Sequence, residues 1–221
     1  MVAVLDIETA RPTRAEWATI KGIDPQQNGE GSAEVERDYE KTVFDGTYGK
    51  IVCIGLLMVN EDMASGDAIA WYGSNEKSML REFWKRVGAI QPDLIVTHNG
   101  LGFDLPFIRK RSMINQVKPS IDINLARFRS RPVFDTMAEW SNWDARNYTK
   151  LDVLARVLGV ETKSGSGEQV ASMWDRGEWE AVANYCLQDV YVTYACYCRM
   201  SYQEPGQSKD MLSGRALIRI D

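Results

Sequence analysis

The stretch VLDIETA, Val4 to Ala10, reads as a buried strand interrupted by two acids. Successive side chains of a strand point to opposite faces, so Asp6 and Glu8 share one face while Leu5 and Ile7 pack on the other. Two neighbouring carboxylates repel each other and are costly to bury unless a cation compensates them. The motif therefore poses a question that the rest of the chain must answer.

Outward from this strand, further apolar and β-branched runs at 51–59, 67–72, 93–97 and about 132–136 are bounded by Gly, Pro, Asp or Asn and read as strands. Helical periodicity appears over 75–90, through Met79, Leu80, Phe83, Trp84, Val87 and Ile90, behind Ser74 or Asn75 as cap. Leu151, Leu154, Ala155 and Leu158 repeat in a second helix, with Thr149 and Asp152 spaced as a capping box and Gly159 as its stop. A last helix covers about 178–200. Strands followed by strands alternating with helices imply an α/β domain with a mixed five-stranded sheet flanked by helices, antiparallel at first and joined by crossovers later.

The chain has 221 residues with 44% apolar composition, which suits one domain of good size. We expect that domain over 1–203, followed by a tail at 204–221 with little to bury. Residues 11–49 are too long for a simple connection and form an insertion, with a short helix expected around Trp17 and Ile20. KSGSGEQ, 163–169, has the composition of a flexible loop. No basic leader precedes the first apolar run, no run spans a bilayer, and the four cysteines form no CxxC pair or disulfide framework, so the expectation is an intracellular protein without a membrane partner.

The net charge of −5 argues against a nucleic-acid partner, but its distribution does not. Residues 109–163 hold 11 Lys and Arg against 6 Asp and Glu. Within them, Arg127, Arg129 and Arg131 alternate as a strand would, aiming three guanidinium groups one way, and Lys150 starts the following helix; these could track a single-strand backbone.

Two more stretches carry chemistry. In VTHNGLGFDLPFIRKR, Val96 to Arg111, a strand ends, a glycine-containing turn follows, and Asp104 stands at a helix start ahead of Pro106. In YCLQDV, Tyr185 to Val190, Tyr185 and Asp189 lie one helical turn apart on the shoulder of a buried stripe. His98 is the single histidine and reads as a turn residue.

Taken together, DIE, NGLGFDLP and YCLQD resemble, in order and spacing, the three exonuclease motifs of the proofreading domain of family B DNA polymerases, the tyrosine-type DEDD 3′ to 5′ exonucleases on a ribonuclease H-like fold. NYTKLDVLARVLGV is similar to the helix before the third motif, and the stand-alone polymerase-B-like exonucleases are the nearest likeness. The insertion at 11–49 departs from the pattern. The resemblance implies a two-ion Mg²⁺ or Mn²⁺ site held by Asp6, Glu8, Asp104 and Asp189, with Tyr185 orienting the attacking water beside Glu8. It also implies Thr9, Asn99 and Phe103 as contacts to the 3′-terminal nucleotide, single-stranded DNA or RNA 3′ ends as partners, and release of 5′-mononucleotides. An exoribonuclease, or a nucleic-acid-binding scaffold without activity, are the alternatives, and a replication or repair partner is left unnamed.

Overall fold

The computed structural model describes residues 1–22, 33–60, 62–162 and 168–221. The sheet grows from β1 (Val2–Ala10). It pairs antiparallel with β2 (Lys50–Val59), which pairs antiparallel with β3 (Gly66–Tyr72). On the other side β1 runs parallel to β4 (Leu94–Thr97), and β4 runs parallel to β5 (Val133–Asp135). The chain after Pro205 supplies a sixth strand, β6 (Ala216–Arg219), parallel to β3, so the expected five-stranded sheet is six-stranded in the order β5-β4-β1-β2-β3-β6. A four-residue ALIR run is too short to signal a strand alone; the open edge of β3 recruits it. The presumed tail also buries Met211 and Leu212 against the sheet.

Alternation along β1 sorts its side chains into two cores. Val4 joins the cluster beneath α8 (Trp179–Met200), with Val182, Cys186 and Val190, whereas Ala3, Leu5 and Ile7 join that of α3 (Glu76–Ile90) and α4 (Asp104–Ile114). Asp6 and Glu8 therefore point to the α8 side, as the period of two requires. On the α3 face, Glu76 and Arg111 form a buried bidentate pair in which Glu76 also accepts from the Ile51 backbone and Asn115. That tie fixes α3, α4 and β2 together.

Asn75 caps α3 by accepting from the Ser78 N–H, while the capping box expected at Thr149 does not form. Lys150 instead occupies the cap position of α6 (Leu151–Val157), Thr149 donates to the Asn147 carbonyl, and Asp152 pairs with Arg156. The insertion contains α1 (Arg14–Lys21), with a complete Thr13/Glu16 capping box and Trp17 buried, then α2 (Ala33–Glu40) and a 3₁₀ turn over Lys41–Phe44. Most of the loop expected at 163–169 lies outside the described residues, and α7 (Glu168–Asp175) follows it. Arg127, Arg129 and Arg131 do not sit on a strand: the segment is irregular, and Phe128 takes φ +62°, which breaks the alternation. Among the described residues, no helix is long and apolar enough to cross a membrane, and all four cysteines are free.

Candidate active site

The candidate site is built where β1 meets α8. The pairing of β1 with β2 shifts register between Glu8 and Thr9, a bulge that re-aims the strand just past its second acid. Opposite Asp6 stands Gly55. A Cβ there would lie 2.7 Å from Cys186 Sγ and 3.0 Å from Val190 Cγ2, so glycine is what lets α8 approach the sheet behind the acids. Cys186 Sγ comes within 3.5 Å of Asp6 Oδ2 and 3.6 Å of the Asp6 carbonyl. Asp6, Glu8 and Cys186 each offer a ligand atom within 4.8 Å of the others.

Asp104 arrives from the other side of β1. It is not the helix cap its sequence context allows: Phe103 holds the cap position, and Asp104, buried in the first turn of α4, accepts a 3.0 Å bond from the Ile7 N–H. That bond crosses from β1 to α4 and sets the carboxyl beside Asp6. The preceding turn is held by Asp135, which caps α5 (Thr136–Trp140) and also accepts from the backbone N–H groups of Asn99 and Leu101. Asn99 adopts the left-handed conformation this turn needs, φ +61°.

Burial acts on this constellation first and mutual repulsion second. Asp6 is driven well above the usual carboxylate range by desolvation and then by the charges of Asp104, Glu8 and Asp189. Glu8 is raised by desolvation and by Asp189 and Asp104. Desolvation lifts Asp104 to about 7 and Asp189 to about 6, the latter held back by the Tyr185 hydroxyl. Tyr185, half-buried on the shoulder of α8, has its phenol pushed up by burial and by Asp189, Glu8 and Asp6. The four acids and the tyrosine thus converge in an arrangement that raises the cost of negative charge. A hard divalent cation relieves that cost, and carboxylate oxygens are the donors it selects, so the donor set fits such an ion.

The substrate residues fall into two groups. Phe103 is half-buried between Phe107 and Phe44, with ring centroids 5.4 and 6.4 Å away, and Phe44 is 71% exposed. Thr9 is buried and its hydroxyl donates to the Val43 carbonyl, so it anchors the turn that presents Phe44. Arg127 and Arg129 are exposed on an irregular segment, and Lys150 is exposed at the cap position of α6. Sequence reasoning missed Phe44, Cys186, Gly55 and Asp135. Cys186 and Gly55 carried a signal, a thiol inside the third motif and a glycine inside an otherwise apolar strand; Phe44 lay in the insertion and offered none.

A mixed sheet with acids on its central strand, a third acid after a parallel strand and a fourth on the crossing helix defines an α/β domain of ribonuclease H-like architecture with a cluster of acids beside its central strand. Comparison with known proteins carries the assignment further. Residues 42–213 match the family described as predicted 3′-5′ exonuclease related to the exonuclease domain of PolB, and the chain belongs to it. The matched span contains Asp104, Tyr185 and Asp189 and begins after the first motif. The chain is also similar to DNA polymerases of Pyrococcus horikoshii and Thermococcus gorgonarius, at 26% identity over 87% of its length in each case. It spans 18% and 28% of those two proteins, respectively.

Proposed function

We propose that this domain is a metal-dependent 3′ to 5′ exonuclease acting on single-stranded nucleic acid, DNA before RNA, and releasing 5′-mononucleotides. The observation that carries this reading is the convergence of Asp6, Glu8, Asp104 and Asp189 with Tyr185 in one desolvated cleft within a chain of this family. Asp6, Glu8 and Asp189 would hold one Mg²⁺ or Mn²⁺ ion, and Asp6 with Asp104 a second. Bound there, such ions neutralise charge on the attacked phosphate and leaving oxygen and lower the pKa of water.

The chain's own groups do the positioning. The Tyr185 hydroxyl and Glu8 orient the attacking water, and the raised phenol pKa keeps that hydroxyl protonated as a donor at neutral pH. The half-exposed Phe103, with Phe44 beside it, offers ring faces to the terminal base, and Asn99 stands at the turn below. DNA is preferred because the relatives are named DNA polymerases.

The test is incubation with 5′-labelled single-stranded DNA and RNA in Mg²⁺, Mn²⁺ or chelator. Stepwise shortening from the 3′ end, abolished by chelator and by Asp6→Ala at unchanged circular dichroism, is expected. Cutting of a circular single strand would show an endonuclease instead, and full activity of Asp6→Ala would remove this site from the reaction.

A further inference from the structure

Outside the cleft, the loop from Val117 to Pro132 makes an unusual display. Ile121, Ile123 and Leu125 pack back against Trp84, Leu105 and Ile108, which brings the loop alongside the first turns of α4. The chain then exposes five residues in succession, Arg127 to Arg131. In their midst Phe128 is 77% exposed and left-handed at φ +62°, a conformation that bulky residues avoid. Its ring lies 5.4 Å from that of Trp143 at an interplanar angle of 41°. Trp143 is left-handed too, φ +64°, and its N–H donates to the Ala138 carbonyl. It is anchored in the cluster that includes Leu101 and Leu105, and it follows α5, whose cap Asp135 also holds the turn of Asn99.

We propose that Phe128 and Trp143 form a stacking platform for a single strand of nucleic acid, flanked by Arg127 and Arg129, that grips the substrate on the 5′ side of the terminal nucleotide. The proposal rests on the exonuclease reading of the cleft. Three observations select a nucleic-acid strand as occupant. An aromatic ring held outward beside a second ring leaves a π-face for a base, and stacking of this kind tolerates any sequence. Arg127 and Arg129 are exposed with no ion pair among the described residues, unlike neighbouring Arg146, which is paired with Asp144. The platform also lies in the segment where basic residues outnumber acidic ones by 11 to 6 in an otherwise acidic chain, complementary to phosphate and not to an acidic cleft.

The experiment separates this platform from the cleft. Binding of 5′-fluorescein oligodeoxythymidine of about 15 nucleotides, a length within the span such sites cover, is measured by anisotropy in chelator, where no hydrolysis occurs. Phe128→Ala is expected to weaken it about tenfold, the loss of one stacked base, and Phe128→Tyr to restore it. Joint Arg127→Ala and Arg129→Ala substitution is expected to flatten the dependence of affinity on salt. Hydrolysis of a dinucleotide, too short to reach the platform, is expected to be unchanged in Phe128→Ala. Wild-type affinity of Phe128→Ala for the long strand overturns the proposal. So does an equal loss on the dinucleotide, because the effect would then run through the cleft or the fold. Phe128-dependent binding by a wild-type protein that hydrolyses nothing would leave the platform standing and sink the exonuclease reading alone.

Discussion

At the scale of single residues, the site is a set of groups whose ordinary ionisation the fold opposes. Tyr185 is the member whose role is easiest to isolate, because its ring packs against the core beneath α8 while its hydroxyl reaches Asp189. Tyr185→Phe keeps the ring and removes one hydrogen-bonding group, so oligonucleotide affinity is expected to hold while the single-turnover rate falls about tenfold to a thousandfold. An unchanged rate constant would exclude Tyr185 from orienting water. His98 supplies a second test, away from the acids. Its Nδ1 lies 2.9 Å from the Thr136 hydroxyl, and burial lowers its pKa to about 4 against the opposing effects of Asp135, the Thr149 backbone and Asp152. A base depressed in this way stabilises the fold above its unfolded pKa of 6.5, and the contribution is lost as pH falls from there toward 4. The full difference is on the order of 3 kcal/mol. His98→Gln is therefore expected to lose less thermal stability than the parent between pH 7 and pH 4.5, with the titrating carboxylates common to both proteins. Parallel pH profiles would refute this.

At the scale of elements, the strands and long helices were legible because their periods are set by burial, as with Met79, Phe83 and Val87 along α3. The acids were legible because only a compensated site tolerates them on a core strand. What sequence could not carry was approach between elements. Asp104 looked like a helix cap, and only the fold shows its carboxyl turned onto the Ile7 N–H. Arg127 and Arg129 looked like a strand face, and the left-handed Phe128 between them cancels the alternation. The contact of Gly55 with Cys186 likewise joins positions 131 apart in sequence. Gly55→Ala is expected to force α8 outward, lowering stability by about 1–3 kcal/mol, the usual range for overpacking. Because Cys186 leans on Asp6, hydrolysis should fall with it. Adding Cys186→Ala removes the Sγ that the new methyl meets and should recover much of the lost stability. A single variant as stable as its parent, or a double variant no better than the single one, would show that this approach is not tight.

At the scale of the whole molecule, β6 completes a sheet whose outer hairpin strand would otherwise be bare. Its neighbour β3 is buried over much of its length, and an unpaired apolar edge of that kind templates association. The junction is fitted closely: Ile220 donates to the Tyr72 carbonyl and accepts from the N–H of Asn75, the residue that caps α3. Gly73 sits at the crossing with φ +139°, and a Cβ there would stand 2.1 Å from the Ile220 carbonyl oxygen. Asp6 and Glu8 lie on β1, Asp189 on α8 and Asp104 at the start of α4, with β2 between β1 and the β3–β6 edge. Ending the chain at Ser213 is therefore expected to lower the melting temperature and produce concentration-dependent light scattering, while freshly prepared monomer retains its hydrolytic rate. Gly73→Val should reproduce the loss of stability in the full chain by displacing Ile220. If the shortened chain melts with its parent and stays monomeric, β6 is an ornament on the sheet; if it loses activity in step with stability, the edge and the cleft are coupled through β2 and the two ends of the sheet cannot be treated as independent.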